Sequence, residues 1–146
     1  MKVLAADGIS PKGIELLQKE FEVVVKDKLP AEELLEIIPQ FDAIMVRSAS
    51  KVTKEVIDRA TNLKIIGRAG VGVDNIDVKY AEANGITVKN TPKASSQSVA
   101  ELAMGHMFSC ARYLSIAGHT MREGKWEKKA YGKGIELQGK TLGIVG

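Results

Sequence analysis

The sequence predicts an α/β protein with a doubly wound parallel sheet. The main observation is that short apolar or β-branched runs alternate with amphipathic helical runs, five times between Val3 and Pro92. A second observation is the unbroken apolar run Ala43–Val46, which is typical of a parallel strand buried on both faces. Connections that contain a helix place the helices on the two faces of such a sheet.

The first two strand–helix pairs follow from local signals. The apolar run Val3–Ala6 predicts the first strand. Ser10 precedes a proline, a combination that is typical of a helix start. The β-branched run Phe21–Val25, bounded by charges, predicts the second strand, and Pro30 opens the second helix.

The remaining elements of this domain are predicted in the same way. After the third strand at Ala43–Val46, Thr53 caps a helix. Lys64–Ile66 is the fourth strand, and Asp77 starts a short helix that an Asn-Gly pair ends. Ile86–Val88 is the fifth strand. The order is that of a flavodoxin-like domain.

We place this domain at residues 1–93 and a different region at residues 94–146. A capping box of the form S-x-x-E starts at Ser98 and predicts one long helix from about Ser98 to about Glu123. The helix is apolar almost all round, so we expect it to be buried between domains or subunits. A charged connector with a single tryptophan follows, and Thr141–Gly146 reads as a new strand.

Composition excludes several classes of protein. The net charge is only +3, and the basic residues are interleaved with acids, so nucleic acid is not an expected partner. A lone cysteine, Cys110, excludes a disulfide framework and fits a reducing compartment. No apolar run has the length of a signal peptide core or a membrane span. We expect a cytoplasmic protein without a membrane partner.

The carboxyl ends of the strands carry the candidate site, because ligands of open parallel sheets bind there. Arg47 follows the third strand and Arg68 the fourth, and a guanidinium group suits carboxylate or phosphate. The turn Gly70–Gly72 can present backbone N–H groups to an anion. We therefore predict a pocket for a small, doubly anionic molecule. The alternatives are exposed surface arginines, and glycines that serve only the turn.

Other candidates have simpler interpretations. The order G-x-x-G-x-G does not match the dinucleotide fingerprint. Asp7 is either an acidic catalyst or the cap of the next turn. His106 and Cys110 share a helix face without further ligands, so we expect core packing and no metal. His119 is explained by the helix C-terminus, and the serines at 95, 96 and 98 by capping.

Several motifs together resemble those of the D-isomer-specific 2-hydroxyacid dehydrogenases. They are "VRSASKVTKEVID", "LKIIGRAGVGVDNIDV", "GITVKNTP", "SVAELAMG", "REGKWEKK" and "LQGKTLGIVG". The resemblance implies a substrate-binding domain, a crossover helix and a Rossmann domain that binds NAD, with Gly146 as the first glycine of its fingerprint. It also implies that the catalytic Arg, Glu and His lie beyond this residue, so that none is expected within the 146 residues.

The resemblance implies roles for individual residues. Substrate contacts are implied for Arg47, Ser48, Arg68, Gly70, Val71 and Lys128. Cofactor contacts are implied for Val71, Asn90 and Gly146. Relatives often have threonine in place of Val71 and asparagine in place of Ser95, so two side-chain contacts differ here. A homodimer or homotetramer is implied, with Trp126 and the long helix at the interface and Lys128 near a neighbouring subunit's pocket.

The implied reaction is the oxidation of 3-phospho-D-glycerate to 3-phosphohydroxypyruvate, a step of serine biosynthesis. The alternatives are a glyoxylate or hydroxypyruvate reductase and a non-catalytic anion-binding module. A phospho-receiver domain of the same topology is disfavoured, because the third strand ends in Arg47 rather than an acid. The residues present supply positioning and not proton transfer, so we expect the 146 residues alone to be inactive.

Overall fold

The computed structural model describes residues 1–145 and contains two compact units. The first unit spans Met1–Ser95 and the second begins at Ser96. No helix among the described residues combines the length and apolar composition needed to cross a membrane.

The first unit is a parallel sheet of five strands with the order β2-β1-β3-β4-β5. The strands are Lys2–Ala6 (β1), Glu22–Lys26 (β2), Ala43–Val46 (β3), Ile65–Arg68 (β4) and Thr87–Asn90 (β5). The helices between them are Pro11–Gln18 (α1), Ala31–Ile37 (α2), Lys54–Arg59 (α3) and Val78–Ala83 (α4), with a 3-10 turn at Ile38–Gln40 after α2. The predicted fold class and the five strands predicted for this unit are confirmed.

Local signals set the helix boundaries. The Ser10 side chain accepts a hydrogen bond from the Gly13 N–H and caps α1. Asp77 accepts one from the Tyr80 N–H and caps α4. Thr53 precedes α3 as predicted, but its side chain makes no capping hydrogen bond. The predicted helix stop after α4 is confirmed, since Gly85 has φ +75°.

The core lies on the sheet beneath the helices. Leu4, Ile44 and Ile66 are adjacent in register across β1, β3 and β4, and each is fully buried. They belong to one apolar cluster with side chains from the helices, including Leu34 and Ile57. Burial of each large side chain stabilises the fold by roughly 1.5–3 kcal/mol. The core therefore holds the strand ends in fixed relative positions.

The second unit corrects the prediction of one long helix. The segment forms two helices, Ser96–Arg112 (α5) and Leu114–Arg122 (α6), because Tyr113 between them has a left-handed backbone with φ 58°. A residue in that conformation cannot continue the i to i−4 ladder. The predicted capping box is also wrong, since Ser98 lies inside α5.

The expected burial of this apolar segment is not found within the chain. Leu102, Phe108 and Leu114 are 62%, 47% and 58% exposed. His106 and Cys110 are exposed as well, so the prediction of core packing for them is wrong in this chain. Within α5 and α6 only Ala111 is buried.

The end of the chain also differs from the prediction. The connector contains a short helix, Lys128–Tyr131 (α7). Residues 141–145 have no regular secondary structure, so the predicted strand is not formed there. A strand needs a neighbouring strand for its backbone hydrogen bonds, and the described residues of the second unit contain no strand to pair with. Gly146 lies outside the described residues.

Candidate anion site at the carboxyl edge of the sheet

The candidate residues lie at the carboxyl ends of four adjacent parallel strands, β1, β3, β4 and β5. The register pairs Val46 of β3 with Arg68 of β4, and Arg68 with Asn90 of β5. Arg47 comes directly after Val46. The predicted strand-end arginines therefore lie on neighbouring strands, one residue apart in register.

The Arg68 side chain lies across Gly70. A Cβ atom at residue 70 would come within 2.6 Å of the Arg68 Cζ atom and 3.3 Å of its Nε atom. Only glycine leaves the room that the guanidinium group occupies. The Nε atom of Arg68 is buried and has no hydrogen-bond acceptor among residues 1–145. An unsatisfied charged donor costs more than the roughly 1–3 kcal/mol of a neutral one, so this group is suited to an incoming anion.

The glycine turn presents different N–H groups from those expected. The Gly70 N–H donates to the Arg68 carbonyl at 2.9 Å. Contrary to the prediction, it is therefore not open to a ligand. The N–H groups of Val71 and Gly72 have no acceptor in the described part of the chain. Asn90 Nδ2 donates to the Val71 carbonyl at 2.7 Å and fixes the turn against the end of β5. The available backbone donors are therefore those of Val71 and Gly72.

The loop that carries Arg47 is held by two polar side chains. Asp7, directly after β1, accepts hydrogen bonds from the N–H groups of Arg47 and Ser50, both at 2.9 Å, and from the Ser50 hydroxyl at 2.7 Å. Asn75 Nδ2 donates to the carbonyls of Arg47 and Ser50 at 2.9 and 2.7 Å. The Arg47 side chain is exposed, and it forms no ion pair within residues 1–145.

The surroundings of Asp7 define its chemical role. Burial alone would raise the pKa of its carboxyl group, but the hydrogen bonds from Ser50 and from the backbone of Arg47 and Ala49 outweigh burial and lower the pKa below its ordinary value. The group is therefore ionised near neutral pH and has no proton to donate. Asp7 is a hydrogen-bond acceptor that braces the loop at residues 47–50. It is not the predicted cap of the next turn, where the Gly8 N–H donates to Asp27 instead. The alternative of an acid catalyst is also set aside.

The remaining candidate residues occupy different parts of the molecule. Ser48 is exposed beside Arg47, and the Val71 side chain is 46% exposed at the glycine turn. Lys128 is exposed at the start of α7 in the second unit. The predicted cofactor residue Gly146 lies outside the described residues. Within residues 1–145 no three His, Cys, Asp or Glu side chains are grouped as metal ligands.

Sequence reasoning missed the roles of Ser50 and Asn75. Both act through hydrogen bonds between distant parts of the chain, and Asp7 lies 43 residues from Ser50. The pair Asp7-Gly8 after the first strand indicates a turn there, but it does not indicate which residues the Asp7 side chain contacts. Both residues have positive φ, 64° and 68°. A positive φ is uncommon for residues other than glycine, and aspartate is among those that adopt it most often.

The fold and the site define an α/β domain that presents two arginines and free backbone N–H groups at the carboxyl edge of a parallel sheet. The family model for the catalytic domain of D-isomer specific 2-hydroxyacid dehydrogenases matches residues 3–138. The chain belongs to this family, and the resemblance of its motifs is confirmed.

Curated relatives agree with this assignment and are dehydrogenases or reductases of hydroxy or keto acids. The chain is 51% identical over 146 residues to a hydroxypyruvate reductase from Thermotoga maritima, covering 99% of this chain and 47% of the relative. It is also 51% identical to a D-3-phosphoglycerate dehydrogenase from Methanocaldococcus jannaschii, covering 100% of this chain and 28% of the relative. The chain thus spans less than half the length of these relatives.

Solved structures show the same architecture. The TT0316 protein from Thermus thermophilus has a TM-score of 0.82 and 30% identity, over 95% of this chain and 46% of that one. The NAD⁺-bound 3-phosphoglycerate dehydrogenase of Entamoeba histolytica has a TM-score of 0.66 and 35% identity, over 77% and 39%. The NADPH-dependent glyoxylate/hydroxypyruvate reductase of Sinorhizobium meliloti, in complex with NADP and malonate, has a TM-score of 0.74 and 30% identity, over 96% and 44%. The nicotinamide nucleotide thus differs between family members.

Proposed function

We propose that this chain is the substrate-binding part of an NAD-dependent dehydrogenase that oxidises 3-phospho-D-glycerate to 3-phosphohydroxypyruvate, a step of serine biosynthesis. The observation that carries the proposal is the pair Arg47 and Arg68 at adjacent strand ends, neither of which has an ion-pair partner among residues 1–145. The substrate carries two anionic groups, a carboxylate and a phosphate. Unpaired guanidinium groups suit both.

The two anionic groups are assigned to different parts of the site. Arg68 and the N–H groups of Val71 and Gly72 receive the carboxylate, because they lie together at the glycine turn. Arg47 and Ser48 receive the phosphate, because both are exposed at the neighbouring strand end. These contacts orient the substrate.

A nicotinamide nucleotide, when bound, supplies the hydride acceptor. Among the described residues, Val71 and Asn90 are suited to contact one part of such a nucleotide. The exposed Val71 side chain offers an apolar surface, and the Asn90 amide is held in place by its bond to the Val71 carbonyl. The NAD⁺-bound relative from Entamoeba histolytica supports NAD as the nucleotide.

A second candidate function is the reduction of hydroxypyruvate. It is supported by the 51% identity with the Thermotoga maritima reductase, which equals the identity with the Methanocaldococcus jannaschii dehydrogenase. The two functions differ in whether the substrate carries a phosphate. Arg47 is the residue that tests the difference.

Arg47→Ala in the full-length enzyme is expected to raise KM for 3-phospho-D-glycerate by about tenfold or more, because a charge-assisted contact to the phosphate is lost. The KM for unphosphorylated D-glycerate should change much less. Steady-state kinetics with both substrates measure the two ratios, and Arg47→Lys, which keeps the charge, serves as the control. Equal effects on both substrates would favour the reductase of unphosphorylated acids.

The 146 residues alone are expected to show no dehydrogenase activity, since the residues assigned here position the substrate and none is placed to move its proton. The purified polypeptide is mixed with 3-phospho-D-glycerate and NAD, and NADH absorbance is followed. As a control, calorimetry with 3-phospho-D-glycerate tests whether the polypeptide is folded and binds the substrate. Formation of NADH would contradict the prediction.

We also propose that a second copy of the chain covers the exposed apolar side chains of α5 and α6, giving a homodimer or a higher homo-oligomer. Leu102, Phe108 and Leu114 are exposed large side chains of these helices, and Trp126 is exposed in the connector that follows α6. Lys128, close to Trp126, is then near a subunit interface and is assigned to the neighbouring pocket. Light scattering on the full-length protein measures the oligomeric state.

A further inference from the structure

Two side chains that are not assigned to the substrate hold the loop at residues 47–50. We infer that Asp7 and Asn75 are positioning residues that determine where Arg47 and Ser48 meet the anionic group of the substrate. The inference rests on the proposed function, because it requires that Arg47 contacts the substrate.

Asp7 holds the loop from the side of β1. Its Oδ2 atom accepts the N–H groups of Arg47 and Ser50, and its Oδ1 atom accepts the Ser50 hydroxyl. Ser50 is 6% exposed, so this hydroxyl is removed from solvent. The backbone of Asp7 has φ 64°, a conformation that a non-glycine residue keeps only when its surroundings stabilise it. The contacts to the loop provide that stabilisation.

Asn75 holds the same loop from the side of β4. One amide nitrogen donates to two carbonyls, those of Arg47 and Ser50. Asn75 is itself fixed, because its carbonyl accepts the Val52 N–H at 2.8 Å and the adjoining residues form a parallel bridge between Val52 and Ile76. Its Oδ1 atom is buried and has no donor among residues 1–145, so the amide is oriented by the loop alone.

The two contacts are complementary. Asp7 accepts hydrogen bonds from the N–H groups of Arg47 and Ser50, and Asn75 donates hydrogen bonds to the carbonyls of the same two residues. The first and the last residue of the loop are therefore each fixed by two side chains. Ser48 and Ala49 between them are exposed. An error of about 1 Å in the placement of a substrate contact is able to lower the rate by about a hundredfold. The loop thus has the rigid support that a binding group needs.

The experiment measures the kinetics of Asp7→Ala, Asp7→Asn and Asn75→Ala in the full-length enzyme. Asp7→Ala and Asn75→Ala are expected to raise KM for 3-phospho-D-glycerate by about tenfold, with a smaller change in kcat and in KM for NAD. Asp7→Asn should restore KM to within about threefold, because its amide oxygen still accepts both N–H groups and the Ser50 hydroxyl can rotate to accept from its nitrogen.

Asp42→Ala is the matched control. Asp42 is an aspartate at the opposite edge of the same sheet, where it accepts the Lys2 N–H at 2.8 Å and the Lys64 ammonium at 3.2 Å. Its loss should lower the melting temperature without a change in KM. If Asp42→Ala and Asp7→Ala change KM alike, Asp7 is only structural and the inference is overturned. Should Asp7→Ala fail to fold, Ser50→Ala, which removes the hydroxyl contact alone, is expected to raise KM several-fold, and no change in KM would overturn the inference.

A double variant separates this inference from the proposed function. If Asp7 acts through Arg47, then Asp7→Ala has little further effect in the Arg47→Ala background. The same fold-change in both backgrounds overturns the inference. If Arg47→Ala raises KM and Asp7→Ala does not, the inference fails and the proposed function stands. If Arg47→Ala leaves KM unchanged, the proposed function and the inference that rests on it are both overturned.

Discussion

At the scale of single residues, the place of Arg68 depends on a missing methyl group. Its guanidinium group occupies the space where any other residue at position 70 would have a Cβ atom. The Gly70 carbonyl also accepts the Thr91 N–H at 3.0 Å, which ties the turn to the segment after β5. Gly70 therefore serves more than the turn, because it leaves the space that the Arg68 side chain occupies.

Gly70→Ala is expected to displace Arg68 and to lower the free energy of unfolding by about 1–3 kcal/mol, through overpacking of the turn. KM for the acid substrate should rise in the full-length enzyme. Gly67→Ala is the control, because a Cβ there meets Met45 Cγ at an ordinary 3.5 Å. Urea unfolding and kinetics test both variants. A Gly70→Ala protein with unchanged stability and KM would contradict this account of Arg68.

The strand-end arginines were predictable from the sequence, whereas their surroundings were not. Parallel topology alone places Arg47 and Arg68 at one edge of the sheet. The contacts of Asp7 with Ser50, and of Asn75 with Arg47, join residues 43 and 28 positions apart, and no local pattern reports them. The internal bond of the Gly70 N–H depends on the path of the turn, which three glycines in six residues do not determine.

At the scale of elements, the two predicted helix caps differ in whether the capping side chain stabilises its helix. Asp77 makes a side-chain hydrogen bond to the first turn of α4, whereas Thr53 makes none to α3. The two residues have the same place in the sequence pattern. Only one of them satisfies an unpaired backbone N–H group of its helix.

Asp77→Ala is expected to lower the free energy of unfolding by about 1 kcal/mol, the usual effect of losing a helix cap. Thr53→Ala, the matched variant, should lower it by only a few tenths of that value, because no capping bond is lost. Chemical denaturation of the two variants measures the difference. Equal losses would show that Thr53 caps α3 in solution after all.

The break between α5 and α6 shows where local prediction ends. Segment 112–114 contains neither glycine nor proline, and the residue with the left-handed backbone is a tyrosine. The Tyr113 ring lies 6.0 Å from the Tyr131 ring, between centroids, at an angle of 42°. This aromatic contact joins parts of the second unit that are distant in sequence, and it offsets part of the free energy that a left-handed backbone costs at Tyr113.

At the scale of the whole molecule, the core and the candidate site belong to the first unit. Every residue of the apolar cluster lies between Leu4 and Val88. The sequence predicted this unit well, because each of its strands and helices is favoured by a local sequence pattern and the central strands β1, β3 and β4 form a buried apolar core. The second unit was predicted less well, because its apolar residues are not enclosed within the chain.

Stability is expected to fall as the pH drops below about 4. The pKa of Asp42 is lowered by the Lys2 N–H first and then by Lys64, and the pKa of Asp7 is also lowered. A carboxyl group whose pKa is lower in the folded state contributes stability above its ordinary pKa near 3.9, and that stability is lost as the pH falls through the folded value. Urea unfolding at a series of pH values measures the loss.

Asp7→Asn is the matched variant for this measurement, since it removes one titrating group and keeps the shape. Its free energy of unfolding should depend less steeply on pH in the same acidic range. A slope equal to that of the unchanged protein would mean that Asp7 does not titrate with folding.

The strand order has a consequence for self-association. β2 and β5 are the outer strands, and an outer strand with free backbone groups is able to recruit another chain and start aggregation. Both carry charged side chains, Glu22 and Lys26 on β2 and Lys89 on β5. A further strand that paired with β2 or β5 would lie beside these charged side chains and would remove part of their hydration, which disfavours the pairing. The protein therefore limits growth of the sheet into fibrils by the composition of its two margins.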